Sequence, residues 1–333
     1  MQNEKQTISR RDLIIGGAAL AAPALVATTA MAEFNTTSSG LTIGTYVSDP
    51  NNVDAVNTHW IEAPEGLIVI DVQRLLPEAE RARDIMASTG KPIRAVFVTH
   101  AHTDHYAGLS VIRAAAPDAE VFAIEPTIRT MRDDTFGFNA SRLQRHGNLF
   151  PSQEIITEAL PERIVSHGER LSLAGLDLEI LALTPGESDG TAAIHLPEHR
   201  TIFPGDFVQN TKIPVPFESH ETWLAQLSTV STMLDSETMA YQGHGLPASF
   251  LTLAQQTAHY LTTARDKVGE KLDGGTELSE AAIEALVFEL SAEFPFHIAG
   301  GGFDRTRMIT GVSRRFAKQI VEGDAAGPVF ANG

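Results

Sequence analysis

The sequence predicts a layered α/β protein, and two observations indicate this class. Short apolar runs alternate with stretches of helical pattern, and the strands fall into two groups that are each followed by helices. Because a sheet must bury at least one face, such groups pack as sheets face to face with helices outside. The composition agrees, since 43% of the 333 residues are hydrophobic and 20% are charged, as in ordinary globular proteins.

The first group of elements alternates strands with helices. Gly90 and Pro92 end one helix and Pro117 ends another, because neither residue type continues a helix well. A polar, partly helical insertion, residues 125–150, follows this group. The predicted elements are the strands Thr58–Ala63, Gly66–Val72, Ile93–Thr99 and Glu120–Ile124 and the helices Leu76–Thr89 and Tyr106–Ala116.

The second group is a tight meander of strands followed by longer helices. Its strands are short and apolar, and turn residues separate them. The predicted elements are the strands Leu171–Leu173, Asp177–Leu183, Thr191–Leu196, Thr201–Phe203 and Thr238–Tyr241 and the helices Glu221–Asp235, Phe250–Leu272 and Ser279–Phe294.

Residues 1–32 resemble a bacterial twin-arginine export signal. Arg10 and Arg11 precede an uncharged run rich in Ala and Gly, and the run ends in Ala-Met-Ala before Glu33, which fits a cleavage site. A membrane-spanning helix is the alternative, but the run is short and Pro23 interrupts it. The signal predicts a periplasmic or secreted mature chain, with no stable membrane association after cleavage. Removing it changes the net charge from −17 to −18.

The charge and the absence of cysteine exclude several kinds of site. A net charge of −17 disfavours nucleic acid and anionic membranes as partners, because phosphates attract clustered Lys and Arg. The chain has no cysteine, which excludes disulfides, thiolate catalysis and thiolate metal sites. Any metal must therefore be held by His, Asp or Glu.

One motif has the spacing of a metal site. His100, His102, Asp104 and His105 form an H-x-H-x-D-H run directly after a buried strand and before a helix. A strand end followed by a sharp loop lets these side chains converge, whereas a straight strand would point alternate residues to opposite faces. Neutral imidazoles suit Zn²⁺, and carboxylates suit harder ions. Chance clustering in an exposed loop is the alternative interpretation.

This run resembles the signature of the metallo-β-lactamase superfamily. Three further segments match in the family's order: Asp71 ends a strand where the family has an Asp that supports the metal loop, Asp206 ends the run Phe-Pro-Gly-Asp, and His244 lies in Gln-Gly-His-Gly. The resemblance extends from about residue 40 to residue 250. It implies a four-layer αβ/βα sandwich, here one domain over residues 33–333 with a helical C-terminal part, and a dinuclear metal site.

The sequence departs from the family pattern at Glu187. The family usually has a third His for the first metal here, whereas this chain reads Thr-Pro-Gly-Glu. A similar Glu occurs in the alkylsulfatase-like branch. Either Glu187 is the third ligand, or it is an ordinary turn residue and the first site is weak. We favour the ligand, because a carboxylate buried among imidazoles needs a partner.

The resemblance implies a complete ligand set and a mechanism. His100, His102 and Glu187 hold the first ion, Asp104, His105 and His244 hold the second, and Asp206 bridges them. The expected ions are two divalent metals, with Zn as the first choice, and the three carboxylates make Mn or Fe possible alternatives. They hold a bridging hydroxide as the nucleophile, and Asp104 can also accept a proton. The catalytic residues are thus Asp104 and Asp206.

The predicted function is an exported metallo-hydrolase that acts on a small ester, lactone or amide. An alkyl sulfate ester hydrolase is the second candidate because of Glu187, and β-lactams are a further possible substrate. From another class, an iron-binding oxidoreductase of this fold or a non-catalytic metal-binding module would also fit. Diiron members usually carry Glu at the place of His102, which counts against the oxidoreductase.

Several residues outside the ligand set remain open to two interpretations. His59 either contacts substrate or is a half-buried structural residue, and His220 and His297 are candidates for the mouth of the site. The insertion carries four arginines that either receive an anionic substrate group or form a solvated helix face. They are Arg129, Arg132, Arg142 and Arg145.

Overall fold

The computed structural model of the chain describes residues 31–37, 40–48, 55–300 and 304–331. The predicted export signal lies outside the described residues except for Met31 and Ala32, which begin the first strand. In the described ranges, no helix combines the length and the apolar character needed to cross a membrane.

The first sheet has its strands in the same order as the chain. The first four strands are antiparallel to one another, and the fourth to the seventh run parallel. Among the described residues the strands are β1 (Met31–Thr36), β2 (Thr42–Val47), β3 (Asn57–Ala63), β4 (Gly66–Ile70), β5 (Ile93–Phe97), β6 (Glu120–Ala123) and β7 (Arg163–Ile164).

The second sheet has the spatial order β13-β12-β11-β10-β9-β8. Its strands are antiparallel to their neighbours, except that β11 and β12 run parallel. The strands β9, β11 and β12 therefore point the same way, and their carboxyl ends meet at one edge. The strands are β8 (Arg170–Leu173), β9 (Leu176–Leu183), β10 (Thr191–Leu196), β11 (Thr201–Phe203), β12 (Met239–Ala240) and β13 (Ala248–Ser249).

Helices cover the outer face of each sheet. Helices of the N-terminal half pack on the first sheet, and helices of the C-terminal half pack on the second. Their bounds are α1 (Leu76–Ser88), α2 (Thr103–Tyr106), α3 (Leu109–Ala115), α4 (Glu125–Asp133), α5 (Phe138–His146), α6 (Gln153–Glu158), α7 (His220–Met233), α8 (Phe250–Leu272), α9 (Glu280–Glu293) and α10 (Arg305–Glu322).

The alternation of side chains along the strands produces three apolar layers. On β4, Leu67 and Val69 pack against the outer helices, while Ile68 and Ile70 face the other sheet. This follows from the two-residue period of a strand, and both faces are apolar because both are covered. The layers are helices, sheet, sheet and helices, so the predicted αβ/βα sandwich is confirmed.

Two predicted elements are wrong, and six described elements were not predicted: β1, β2, β7, β13, α6 and α10. The helix predicted over Tyr106–Ala116 is broken into α2 and α3. The strand predicted to Thr99 ends at Phe97, because the Thr99 carbonyl turns to the other sheet and accepts a hydrogen bond from the Ala192 nitrogen at 2.8 Å. Helix α10 was not among the predicted elements, although Asp304 caps its first turn.

His59 ties the two sheets together instead of contacting substrate. Its ring is buried, and the Nε2 atom lies 2.9 Å from the Gln242 carbonyl, which follows β12. Since a carbonyl only accepts, Nε2 carries the proton, and Nδ1 accepts from the Thr45 hydroxyl at 2.8 Å. Burial lowers the pKa of His59 to about 4, so the ring is neutral. The structural interpretation is therefore right, although the side chain is fully rather than half buried.

Gly108 causes the break between α2 and α3. Its N–H donates to the Gln73 carbonyl at 2.9 Å, and a Cβ at this position would lie 2.1 Å from the Val72 carbonyl oxygen. A side chain here would push the chain after β4 away from α2. The residue thus holds the two segments that flank the H-x-H-x-D-H loop in close contact.

We expect Gly108→Ala to lower the free energy of unfolding by about 1–3 kcal/mol, because the added methyl group overpacks a closed contact. The matched control is Gly269→Ala in α8, where a Cβ would meet no atom within 4 Å. There alanine should raise the stability by about 0.5–1 kcal/mol through helix propensity. Urea unfolding followed by circular dichroism measures both changes. An unchanged midpoint for Gly108→Ala would contradict the close packing described.

Candidate metal centre

The loop after β5 directs four polar side chains to one place. His100 lies in the bend that follows the strand, His102 precedes α2, and Asp104 and His105 lie in the single turn of α2. The change from extended to helical backbone within six residues makes their side chains converge. All except His102 are buried, and His102 is half-buried.

His100 and His102 meet Glu187 on one side of the loop. The His100 Nε2 atom lies 3.0 Å from His102 Nδ1, an approach of two imidazole nitrogens that needs a proton or a cation between them. The Glu187 carboxylate lies 3.2 Å from His102 Nδ1 and 3.7 Å from His100 Nε2. Glu187 is 6% exposed, in the loop between β9 and β10, so it faces the imidazoles rather than solvent.

Asp104, His105 and His244 form a second group beside the first. The Asp104 carboxylate lies 3.3 Å from His244 Nε2 and 3.8 Å from His105 Nε2. His244 comes from the loop after β12 on the second sheet. The ligand atoms within each group lie less than 4.8 Å apart.

Asp206 lies between the two groups. Its carboxylate is 3.1 Å from His244 and 3.5 Å from His105, and it also falls within 4.8 Å of the atoms of His100, His102 and Glu187. The glycine of the Gly-His pair makes this possible, because a Cβ on Gly243 would lie 2.3 Å from Asp206 Oδ1. The close approach of Asp206 therefore requires glycine at position 243, in addition to any requirement of the turn.

The carboxylate of Asp71 orients the imidazoles. It accepts hydrogen bonds from the Thr99 nitrogen and hydroxyl, both at 2.9 Å, and from His105 Nδ1 at 2.8 Å. The Thr99 hydroxyl, having donated to Asp71, accepts from His100 Nδ1 at 2.9 Å. His244 Nδ1 donates to the Ala55 carbonyl. Each of the three rings thus turns its Nε2 lone pair inward.

The donor set fits metal ions. Four buried atoms of the cluster make no hydrogen bond within the described part of the chain, although an unpaired buried polar atom is costly. They are His105 Nε2, His244 Nε2, Glu187 Oε2 and Asp206 Oδ1. Imidazole nitrogens and carboxylate oxygens at this spacing are suitable ligands for divalent ions, which would satisfy all four.

Neighbouring cations keep the carboxylates ionised, which metal binding requires. Burial raises the pKa of Asp104, but the Arg74 guanidinium at 3.0 Å outweighs this effect and holds the pKa well below its usual range. Burial likewise raises the pKa of Asp206, and the Lys212 ammonium helps to hold it well below its usual range. Burial lowers the pKa of His100 to about 3, so its imidazole is neutral.

Sequence reasoning missed the two basic residues beside the centre. Arg74 is buried against Asp104, and the Lys212 ammonium lies 3.4 Å from Asp206 Oδ2. Neither belongs to a motif, and both are single basic residues in loops. The one signal that could have indicated them is their closeness in sequence to residues of the site. Arg74 follows Asp71 by three residues, and Lys212 follows Asp206 by six.

A cleft of about 740 Å³ opens onto the cluster. Part of its wall is apolar, with Phe138 and Phe217 packed against the His102 ring at centroid distances of 5.8 and 4.7 Å. The insertion contributes Arg142 and Arg145 to the wall.

The remaining sequence candidates lie away from the cleft. Arg129 pairs with Glu125 and Arg132 pairs with Asp133, so these two belong to a surface face. His220 begins α7 and is buried against Asp324, and His297 stacks on Tyr260. The placement of these two histidines at the mouth was therefore wrong.

Known proteins resemble this chain over most of its length. A linear primary-alkylsulfatase from Pseudomonas sp. (strain ATCC 19151) is 23% identical over 297 residues, which is 79% of this chain and 54% of the alkylsulfatase. A hydroxyacylglutathione hydrolase from Rhizobium meliloti (strain 1021) is 24% identical over 206 residues, 61% of this chain and 66% of that enzyme. The chain thus spans between about half and two thirds of the length of these relatives.

A structural relative shares the fold. The crystal structure of a metallo-β-lactamase family protein from Thermus thermophilus superposes with a TM-score of 0.58 and 21% identity, covering 87% of this chain and 97% of that protein. The family model described as the metallo-β-lactamase superfamily matches residues 51–244, a span that contains all seven residues of the cluster. The chain belongs to the metallo-β-lactamase superfamily.

Proposed function

We propose that the protein is a dinuclear metallo-hydrolase that acts on a small ester, lactone or amide. The observation that carries the proposal is the pair of ligand groups with Asp206 between them. Four buried atoms of these groups have no hydrogen-bond partner among the described residues and would be satisfied by metal ions. The cluster lies against a cleft of a size suited to a small molecule.

Seven residues would hold the ions. His100, His102 and Glu187 would hold the first, Asp104, His105 and His244 the second, and Asp206 would bridge them. Zinc is the proposed metal, and the three carboxylates leave room for Mn or Fe. When bound, two such ions would supply a water of lowered pKa as nucleophile and would polarise the substrate oxygen under attack.

Other residues of the chain orient the ligands, set the charge of the site and line its wall. Asp71 and Thr99 fix the rings, so that their ligand atoms need no rearrangement on binding. Arg74 pairs with Asp104 and makes this carboxylate a weak base, which favours metal binding over proton transfer as its main role. Phe138 and Phe217 keep one side of the site apolar and restrict the access of water.

An alkyl sulfate ester is the second candidate substrate. Glu187 stands where the alkylsulfatase-like branch also has a Glu, and an alkylsulfatase is among the relatives. Arg74 and Lys212 place positive charge beside the cluster, which would suit a sulfate group. Chromogenic esters, a lactone, a cephalosporin and an alkyl sulfate, tested on the metal-loaded protein, distinguish these substrates.

We also propose that the protein is exported by the twin-arginine route and works in the periplasm or outside the cell. The support is the Arg-Arg pair, the uncharged run and the Ala-Met-Ala site. Because this route carries folded proteins, the metals would be bound before export.

We expect Asp206→Ala and His102→Ala to lower kcat/KM for the best substrate by more than about 100-fold, since even residues that only support metal ligands are worth 10–100-fold. Each change removes a donor from the shared cluster. Steady-state kinetics on metal-loaded variants provides the measurement, and His259→Ala, on an exposed site of α8, serves as the control. Wild-type activity in either purified variant would overturn the assignment.

Metal content tests the role of Glu187. We expect Glu187→Ala to lose one of two bound ions, or to bind it at least about tenfold more weakly, because the first group loses its only carboxylate apart from Asp206. Glu187→His should retain both ions. Asp189→Ala is the control, since this nearby carboxylate binds Thr130 instead of the imidazoles. Two tightly bound ions in Glu187→Ala, measured by elemental analysis and chelator competition, would make Glu187 a turn residue.

Export is tested by replacing the arginine pair. We expect Arg10→Lys/Arg11→Lys to keep the protein in the cytoplasm of a bacterial host, while the natural sequence is recovered outside it with Glu33 as its first residue. Cell fractionation and N-terminal sequencing measure both results. Normal export of the variant would show that the arginine pair does not direct export.

A further inference from the structure

Positive charge is concentrated in the cleft of an acidic protein. The whole chain has 25 Lys and Arg and a net charge of −17, yet seven of these basic residues line this one cleft. The acidic residues that line it are Asp104, Glu187 and Asp206, all members of the metal cluster. Two divalent ions would more than neutralise these three carboxylates, so the lining of the cleft would carry a net positive charge.

The basic residues occupy two different places. Arg74 and Lys212 contact the cluster carboxylates directly. The other five lie on two helices, Arg142 and Arg145 on α5 and Arg307, Arg314 and Arg315 on α10. Spacings of three, seven and eight residues place side chains on one face of a helix, so the arginines of each helix lie on its cleft side. Arg314 also pairs with the exposed Glu280 of α9 at 3.2 Å.

One aromatic ring separates Arg315 from the metal centre. The Arg315 guanidinium lies 4.3 Å from the centre of the Phe217 ring, and Phe217 packs at 4.7 Å against the ring of His102. Arg315 therefore lies on the far side of an apolar contact from the cluster. An anion held there is separate from any anion held at the metals by Arg74 and Lys212.

Gly311 provides space between these arginines. It lies in the interior of α10, where glycine costs about 1 kcal/mol relative to alanine. No packing against the described residues explains it, because a Cβ would meet none of their atoms within 4 Å, and the residue lines the cleft. The open surface between Arg307 and Arg314 is a place where a ligand group can approach the helix backbone.

We propose that the substrate carries a second, anionic group, such as a carboxylate or sulfonate, at the end remote from the bond that is cut. The inference rests on the proposed hydrolase function and specifies its substrate class. The arginines of α5 and α10 bind this anion, since guanidinium groups make paired, charge-assisted hydrogen bonds to such oxygens. The apolar part of the substrate lies between, against Phe138 and Phe217.

The test compares two esters that differ in one charge, mono-4-nitrophenyl glutarate and its methyl ester. For the metal-loaded protein, we expect kcat/KM to be about tenfold or more higher for the anionic ester, mainly through KM, as one charge-assisted hydrogen bond suffices for this. The preference should decrease as NaCl is raised, because salt screens exposed charges.

The variant Arg314→Gln/Arg315→Gln identifies the binding site. It should lose about tenfold in kcat/KM for the anionic ester and less than about twofold for the methyl ester, since only one substrate has the charge to lose. The control Arg200→Gln/Arg170→Gln makes the same change in net charge at exposed sites outside the cleft and should behave as wild type. Equal losses for both esters would contradict the proposal.

A binding measurement separates this proposal from the hydrolase function. Hexane-1-sulfonate has no bond to cut and is a weak metal ligand, and calorimetry should show that the Arg314→Gln/Arg315→Gln protein binds it about tenfold more weakly than wild type. Hydrolysis of neither ester would contradict the hydrolase function, whereas cleavage of both at equal rates would contradict only the anionic substrate. Absence of sulfonate binding to the wild type would overturn the proposal whatever the kinetics show.

Discussion

The carboxylate of Asp71 is the contact on which the metal centre depends. It lies at the end of β4 in a left-handed backbone conformation, with φ of 58°, which Asp adopts more readily than most residues. From there it receives the Thr99 nitrogen, the Thr99 hydroxyl and the His105 ring. One buried anion thus sets the course of the loop after β5 and the tautomers of two imidazoles, and the remaining ligands are placed relative to these.

Basic residues beside the cluster allow its buried carboxylates to remain ionised in the folded protein. Three buried carboxylates within a few ångströms would repel one another, and one of them would take up a proton. Arg74 beside Asp104 and Lys212 beside Asp206 prevent this, so both oxygens remain available as ligands. Burial raises the pKa of Glu187, and the neighbouring His102 ring lowers it below its usual range. The ionisation of Glu187 is therefore the one most directly linked to binding of the first metal ion.

The sequence predicted most of the fold and brought all seven cluster residues into consideration, because ligands in this fold lie in short segments after strands. What it missed has physical reasons. The break at Gly108 depends on a contact with Val72, which no local pattern reveals. Arg74 and Lys212 act through distant partners, and a single basic residue in a loop carries no signal. Helix α10, in contrast, could have been predicted from its sequence, because its buried residues Ile309, Val312 and Phe316 have helical spacing.

The distribution of the ligands over the two sheets has a consequence for cohesion. The first sheet supplies His100, His102, Asp104 and His105, and the second supplies Glu187, Asp206 and His244. Each ion would therefore cross-link the two halves of the sandwich, in addition to the His59–Gln242 hydrogen bond that already joins them. Because a ligand that binds only the folded state stabilises it in proportion to the logarithm of its concentration, metal supply would determine how firmly the two sheets are held together.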